Sequence, residues 1–136
     1  MIVIFLGIQS KKRDVAAFLE DLRSLLENER FDVDSDLTLI IKNKADDEEH
    51  STYFALLDLN YTASDVADRL RELTVAEYSE TKLDTDDTDP LLLYVFGKVI
   101  GGREVYIKLK IKGCDKRRII CVSFHYAKYP MTFPYS

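Results

Sequence analysis

The side chains of this chain that are best suited to binding or catalysis are a tyrosine, several lysines and a histidine in its last third. Tyr106, Lys108 and Lys110 alternate with apolar residues in segment 104–112 (EVYIKLKIK), so in a β-strand they share one face. His125 lies near the end of a second strand-like segment, 117–126 (RRIICVSFHY). An aromatic ring beside ammonium groups can hold a nucleobase and its phosphate. Alternating lysines also commonly do no more than solvate one face of an antiparallel sheet, and that interpretation stays open.

Cleavage of RNA by protein groups alone would assign these residues distinct tasks. Histidine has an unperturbed pKa near 6.5, so the imidazole of His125 can take or give a proton near neutral pH. Tyr106 can orient the 2′-hydroxyl or stack on a base. Lys108 and Lys110 can contact phosphates and stabilise the charge of the transition state.

A three-stranded antiparallel meander is predicted to position these side chains, with strands at 92–99, 104–112 and 117–125. Gly101 and Gly102 form the first predicted turn, and its length decides where Lys98 points. A two-residue loop places Lys98 opposite Val105 and away from Tyr106, whereas a three-residue loop places it opposite Tyr106. The same parity question decides whether His125 or Tyr126 faces the cluster.

The first 90 residues are mostly helical by pattern. Apolar residues at spacings of three and four predict a helix over 12–28, capped by Ser10. A further helix is predicted from residue 46 to 59, and another begins at a hydroxyl cap, Thr62 or the preferred Ser64. A strand is predicted over 37–44, and residues 2–6 are a short strand or an apolar extension. The expected fold is one α+β domain over residues 1–136, a mainly antiparallel sheet with helices on one face. Its halves are an acidic, mostly helical part (1–90) and a basic sheet with an aromatic tail (91–136).

Charge is distributed unevenly between these halves. The net charge is −5, yet residues 91–136 contain nine Lys or Arg and two acids, whereas residues 1–90 contain ten Lys or Arg and 22 acids. This asymmetry indicates nucleic-acid contact on the sheet side. We expect a contiguous positive surface that contains Lys108, Lys110 and at least one of Lys98, Arg117 and Arg118.

Several classes of protein and site are not indicated by the sequence. Cys114 and Cys121 lack zinc-ligand spacing and are too few for a disulfide scaffold, so we expect two reduced thiols with Cys121 buried. No cofactor or metal site is predicted. The chain lacks an apolar run of the ~20 residues that span a bilayer, and its apolar start lacks a basic leader, which favours a cytoplasmic protein without a membrane partner.

Two irregular segments complete the chain. Residues 84–90 (DTDDTDP) are expected to form a flexible surface loop, since they lack the central glycine and final glutamate of a calcium loop. The aromatic segment 128–135 (KYPMTFPY) contains two prolines, so it is neither a helix nor a central strand. We expect it to lie over the sheet as an extended tail or to dock on a partner.

The two strands that carry Tyr106 and His125 resemble those of the MqsR-like toxin family of bacterial toxin–antitoxin systems, which are ribonucleases with a RelE-type α+β fold. The family's V-Y-[IL]-K-[IL] strand corresponds to residues 105–109 (VYIKL). Its following I-V-S-F-basic strand corresponds to residues 121–125 (CVSFH), with histidine where many members have lysine. The resemblance is strongest over residues 91–126 and extends more weakly back to about residue 14.

This resemblance implies a toxin-type endoribonuclease that cleaves mRNA and has a cognate antitoxin as its protein partner. Because no cluster of Asp, Glu, His or Cys in the sequence has metal-ligand spacing, we expect cleavage without a metal ion. The family's active-site tyrosine corresponds to Tyr106 and its basic residue on the last strand to His125. In the family a lysine directly after the aromatic position of Tyr78 belongs to the active site; this chain has Ser79 there, and Lys82 three residues further on is the candidate. Two alternatives remain: an inactive module that binds RNA or protein through the same basic face, and an interaction protein that docks through its aromatic tail.

Overall fold

Five strands form one mixed sheet in the computed structural model, which describes residues 7–41 and 48–136. The strands are β1 (Leu37–Leu39), β2 (Tyr78–Leu83), β3 (Leu92–Ile100), β4 (Arg103–Lys112) and β5 (Arg118–Tyr126). Their order is β1-β5-β4-β3-β2; β1 runs parallel to β5, and the other neighbours are antiparallel. The predicted α+β class, the mainly antiparallel sheet and the C-terminal meander of β3, β4 and β5 are confirmed.

The glycine turn between β3 and β4 takes its two-residue form. Ile100 lies directly opposite Arg103, and Gly101 and Gly102 have φ angles of 60° and 81°. Positive φ at both central residues suits the twist of a two-residue hairpin, and glycine adopts it without a steric penalty. This turn fixes the register of the hairpin and therefore the face of every side chain on β3.

The helices pack on one face of the sheet, as predicted. They are α1 (Lys12–Leu26), the short α2 (Val33–Asp36), α3 (Thr52–Leu59) and α4 (Ala63–Arg71). In the described ranges no helix is both long and apolar enough to cross a membrane. The apolar stripe of α1 meets inward residues of the sheet in one buried cluster, which includes Val15, Leu19, Leu22, Leu26, Leu70, Phe96, Val105, Ile107, Leu109, Ile119, Phe124 and Tyr126. We call the opposite side of the sheet the open face.

Both preferred helix caps, Ser10 and Ser64, were wrong. Lys11 is the N-cap of α1 and makes no capping bond, while the Ser10 backbone N–H donates to Tyr78 Oη at 2.9 Å. Ser10 therefore ties the chain to β2 instead of starting the helix. Thr62, not Ser64, caps α4, in a reciprocal capping box with Asp65. Helix α1 also ends two residues earlier than predicted, at Leu26.

The first half of the chain also differs from expectation in its short elements. Strand β1 covers only Leu37–Leu39, followed by a 3₁₀ turn at Glu48–His50 and by α3, which Ser51 caps. The remainder of the predicted strand 37–44 beyond residue 41, the start of the helix predicted from residue 46 and the predicted N-terminal strand at 2–6 fall outside the described residues.

Two features between residues 78 and 90 were not predicted. Strand β2 forms from YSETKL, and Ile8 pairs with its Thr81 through two backbone hydrogen bonds of 2.7 Å. The acidic loop after β2, predicted as a flexible surface loop, has internal hydrogen bonds. Its Asp84 is buried and accepts hydrogen bonds from the backbone N–H groups of Asp86 and Asp87.

Candidate active site

A β-bulge in β5 turns His125 toward the open face. Strict alternation from the inward residues Ile119 and Cys121 would also point residue 125 at the helices. The pairing with β4 instead skips Val122, because Leu109 lies opposite Cys121 whereas Lys108 lies opposite Ser123. After this extra residue Phe124 and Tyr126 point inward, and His125 lies opposite Tyr106 on the open face.

A second bulge in β2 has the same effect on the other side of the sheet. Tyr78 lies opposite the buried Phe96, whereas Glu80 lies opposite Val95, so Ser79 is the extra residue. Without it, alternation from Tyr78 would direct residues 80 and 82 toward the helices. The bulge instead aligns Glu80 and Lys82 with the face that carries Lys108.

These residues line a cleft of about 470 Å³ on the open face. Its floor comes from β4, and its sides come from β2 and from β5 with the start of the C-terminal tail. Three lysines and one glutamate contribute charged groups to the lining. The lining residues are Ser79, Glu80, Lys82, Tyr106, Lys108, Ser123, His125 and the tail residues 127–132.

The rings of Tyr106 and His125, which both line the cleft, are stacked on each other. Their centroids are 5.1 Å apart and their planes differ by 11°. His125 Nδ1 lies 3.0 Å from the backbone oxygen of Tyr126, so Nδ1 carries the proton and donates this hydrogen bond. Nε2 is then the nitrogen whose lone pair is available to accept a proton from a ligand.

Burial tunes both rings in the same direction, toward the neutral form. Burial lowers the pKa of His125, the bond to Tyr126 opposes this shift, and the charges of Lys108 and His50 lower the pKa further. Burial also raises the pKa of Tyr106, which the nearby Lys82 ammonium partly offsets. At neutral pH the pair therefore combines a proton acceptor with a protonated phenol.

Lys82 lies beside Tyr106, which supports its inclusion among the candidates. The Lys82 ammonium forms a salt bridge of 3.4 Å with Glu80 and lies close enough to the Tyr106 hydroxyl to influence its pKa. Burial lowers the pKa of Lys82, but the negative charges of a Tyr106 phenolate and of Glu80 outweigh it, so the net pKa is raised. Lys82 is therefore a cation at neutral pH, on the side of the cleft opposite His125.

The C-terminal tail lies across the open face, as predicted for segment 128–135. The Ala127 N–H donates to Glu104 O at 2.9 Å, and further along Tyr135 stacks on Tyr78 at 5.7 Å. Between these anchors the tail crosses β3 at Gly97, where a Cβ would lie 2.8 Å from both Met131 Sδ and Phe133 Cζ. The absent side chain of Gly97 is what allows this close approach.

Two lysines of the expected RNA-binding surface, Lys98 and Lys110, lie elsewhere. Lys98 is opposite Val105 and faces the helices, where its ammonium pairs with Glu77 at 3.3 Å and Glu72 at 3.5 Å. Lys110 is 2% exposed and binds Asp84 at 2.7 Å, together with the backbone oxygens of Asp87 and Pro90. The acidic loop covers Lys110, so the expected positive surface does not include it.

The two arginines at the start of β5 are also distant from the cleft. Arg118 is exposed but lies seven positions before His125, which along a strand corresponds to roughly 20 Å. Arg117 pairs with Asp21 of α1 at 3.2 Å. Of the eight candidate residues, Tyr106, Lys108, His125 and Lys82 line one cleft, whereas Lys98, Lys110, Arg117 and Arg118 do not.

Glu80 and Ser123 are lining residues that sequence reasoning missed. Both depend on the bulges, which leave no pattern in the alternation of polar and apolar residues. In the described part of the chain no group of three or more His, Cys, Asp and Glu side chains could hold a metal ion. Cys121 is buried, as expected, and burial raises its thiol pKa to about 12, so it is unreactive near neutral pH.

Comparison with known proteins adds no relative of this chain: no protein-family model, no curated protein and no solved structure matches it.

Proposed function

We propose that this chain is a toxin-type endoribonuclease that cleaves mRNA without a metal ion. The observation that carries the proposal is the stacked pair of Tyr106 and His125 in an open cleft that also contains Lys82 and Lys108. A neutral imidazole, a protonated phenol and two ammonium groups supply what transesterification of RNA needs. The strand motifs shared with MqsR-like toxins support the same activity and, with it, a cognate antitoxin as partner and a cytoplasmic location.

His125 acts as the general base in the proposed reaction. Its Nε2 takes the proton of a ribose 2′-hydroxyl, because Nδ1 is already engaged with the Tyr126 backbone oxygen. The 2′-oxygen then attacks the adjacent phosphorus, and the bond from phosphorus to the 5′-oxygen breaks. The products are a 2′,3′-cyclic phosphate and a 5′-hydroxyl end.

Lys82 protonates the leaving oxygen from the other side of the cleft. In-line displacement requires the base and the acid to flank the phosphate, and β5 and β2 lie on opposite sides of β4 in the strand order. Between them Lys108 stabilises the charge that develops on the phosphorane oxygens. The Tyr106 hydroxyl, kept protonated by its raised pKa, donates a hydrogen bond to a non-bridging oxygen.

The test is cleavage of RNA by purified protein in excess EDTA, with the product ends mapped. We expect cleavage with 2′,3′-cyclic phosphate ends, and a decrease of roughly 10²–10⁴-fold in His125→Ala. Loss of wild-type cleavage in EDTA would overturn the metal-independent mechanism. Full activity of His125→Ala would remove His125 as the base. RNA binding with neither cleavage nor growth arrest on expression would leave the inactive binding module.

A requirement for the ribosome is covered by a second assay. If free RNA is not cut, expression of the wild-type chain should still arrest growth, and His125→Ala should relieve the arrest. Tyr106→Phe keeps the ring that stacks on His125 and serves as the matched variant. Because the Tyr106 hydroxyl takes part in the proposed reaction, Tyr106→Phe should lose an amount of activity comparable to His125→Ala. A smaller loss would mean that only the ring matters.

A further inference from the structure

We propose that Tyr129 is the stacking platform for a nucleobase of the bound RNA, so that the C-terminal tail supplies the second wall of the cleft. This inference rests on the proposed function and names a residue that sets how the substrate is held. The inference starts from a difference in exposure among the apolar and aromatic side chains of the tail. Met131, Phe133 and Tyr135 are packed against the protein, whereas Tyr129 is 71% exposed although it lines the cleft.

The position of Tyr129 follows from the anchors on either side of it. The tail is held at Ala127 by the Glu104 backbone oxygen and again at Met131 by the close approach over Gly97. Residues 128–130 therefore span the mouth of the cleft between two fixed points, and Pro130 restricts the backbone there. Tyr129 is four residues after His125, so its backbone lies within roughly 14 Å of the proposed base.

The surroundings of the ring favour a nucleotide over an apolar ligand. The Lys128 ammonium lies 5.8 Å from the centroid of the Tyr129 ring. Lys82 and Lys108 line the same cleft, and Glu80 is the one acidic residue among the described lining residues. An exposed aromatic ring among cations matches a ligand with a flat base and a negative phosphate.

The shape of the cleft restricts the ligand further, to an unpaired nucleotide. The cleft is enclosed by β2 on one side and by the tail on the other, and its volume of about 470 Å³ suits a small ligand rather than a duplex. Bases that are unstacked from a strand can lie flat on tyrosine, whereas the paired bases of an A-form helix present only their edges. Tyr129 should therefore bind a base next to the scissile phosphate.

The experiment measures binding of a single-stranded RNA oligonucleotide with 2′-O-methyl groups throughout, which cannot be cleaved by attack of the 2′-oxygen. By fluorescence anisotropy we expect Tyr129→Ala to bind about 5- to 150-fold more weakly, the usual effect of removing one stacking ring. Tyr129→Phe should bind like the wild type because it keeps the ring. The slope of affinity against salt should stay unchanged in Tyr129→Ala, since no phosphate contact is removed.

Tyr53 provides the matched control. It is 57% exposed on α3 and is not among the residues that line the cleft, so Tyr53→Ala should bind like the wild type. Wild-type affinity in Tyr129→Ala, with binding by the unmodified protein intact, would overturn the role of Tyr129 and leave the nuclease proposal untouched. Failure of the wild type to bind the oligonucleotide would instead reject the stacking role of Tyr129, and failure both to cleave RNA and to arrest growth on expression would reject the nuclease proposal as well.

Discussion

The imidazole of His125 is the cleft group whose protonation state matters most near neutral pH. Burial lowers its pKa, and the charges of Lys108 and His50 act in the same direction. The neutral form therefore persists to a lower pH than for an exposed histidine. Raised pKa values keep Lys82 and Tyr106 protonated over the same range. This combination matches a base on one side and proton donors on the other.

The resulting pH dependence of cleavage has a defined sign. Because the base form of His125 is the active form, kcat/KM should rise with pH through a pKa below 6.5 and reach its plateau before neutrality. The decrease on the alkaline side should begin only where Lys82 loses its proton, above the usual lysine pKa of about 10.5. The measurement is single-turnover cleavage from pH 5 to pH 10 at constant ionic strength, and no alkaline decrease is expected within this range.

His125→Gln is the control for that profile, since it should remove the acidic limb as well as most of the rate. An acidic limb that survives in His125→Gln would assign the titration to another group. A rate that falls with increasing pH between 5 and 7 would contradict the role of His125 as a base and make it the acid.

Among the secondary-structure elements, the bulges at Ser79 and Val122 explain why the sequence predicts the strands better than the site. The alternation in 104–112 and the two glycines predict β4 and its hairpin, because period-two patterning and positive φ are local properties. The bulges are set by the pairing of strands that are distant in sequence. The bulges decide whether Glu80, Lys82 and His125 face the cleft, and the local alternation of polar and apolar residues does not predict them.

Lys110 shows a related limit of prediction from sequence, because its environment depends on how a loop packs against a strand. The alternation in β4 predicts the face of the sheet on which the Lys110 side chain lies. It does not predict that the loop after β2 covers this side chain. Asp84 and Asp87 of this loop bind its ammonium at 2.7 Å and 3.4 Å. A sequence full of acids and without apolar residues indicates a surface loop, and the buried partner of Asp84 is visible only in three dimensions.

This buried ion pair should make a measurable contribution to stability. Lys110→Met leaves the nearly buried carboxylate of Asp84 without its cation, and we expect the free energy of unfolding to fall by about 3 kcal/mol. Lys112→Met is the control, because Lys112 and Asp87 are 28% and 43% exposed and water can replace their contact. Urea unfolding at pH 7 measures both, and equal losses would contradict the difference in burial.

The same pair predicts how stability depends on pH. The pKa of Asp84 is lowered: burial raises it, but the hydrogen bond from Lys110 and the bonds from the backbone N–H groups of Asp87 and Asp86 outweigh this effect. The stabilisation is therefore present above the carboxyl pKa of the unfolded chain, near 3.9, and disappears as pH falls through the lower folded value. Lys110→Met should flatten this acid dependence.

For the molecule as a whole, part of the uneven charge of the sequence is neutralised inside the fold. Basic residues of segment 91–136 pair with acids from the first 90 residues at several places. These pairs are Lys98 with Glu72 and Glu77, Lys110 with Asp84, Lys112 with Asp87, and Arg117 with Asp21. These ion pairs therefore join the sheet to its helices and loops. The positive charge of the cleft comes from a small number of lysines.

A salt titration of RNA binding separates these two groups of cations. Each phosphate that a lysine neutralises in a single strand contributes about 0.7 to the slope of log affinity against log salt. Lys82→Gln and Lys108→Gln should each flatten the slope by about that amount, because both lysines line the cleft. Arg117→Gln removes a cation from the same basic half, but Arg117 does not line the cleft and lies beside Asp21 of α1, so the slope should not change. A slope reduced equally by all three variants would mean that RNA is held by the general charge of the sheet, and a slope reduced by Arg117→Gln alone would move the binding surface away from the cleft.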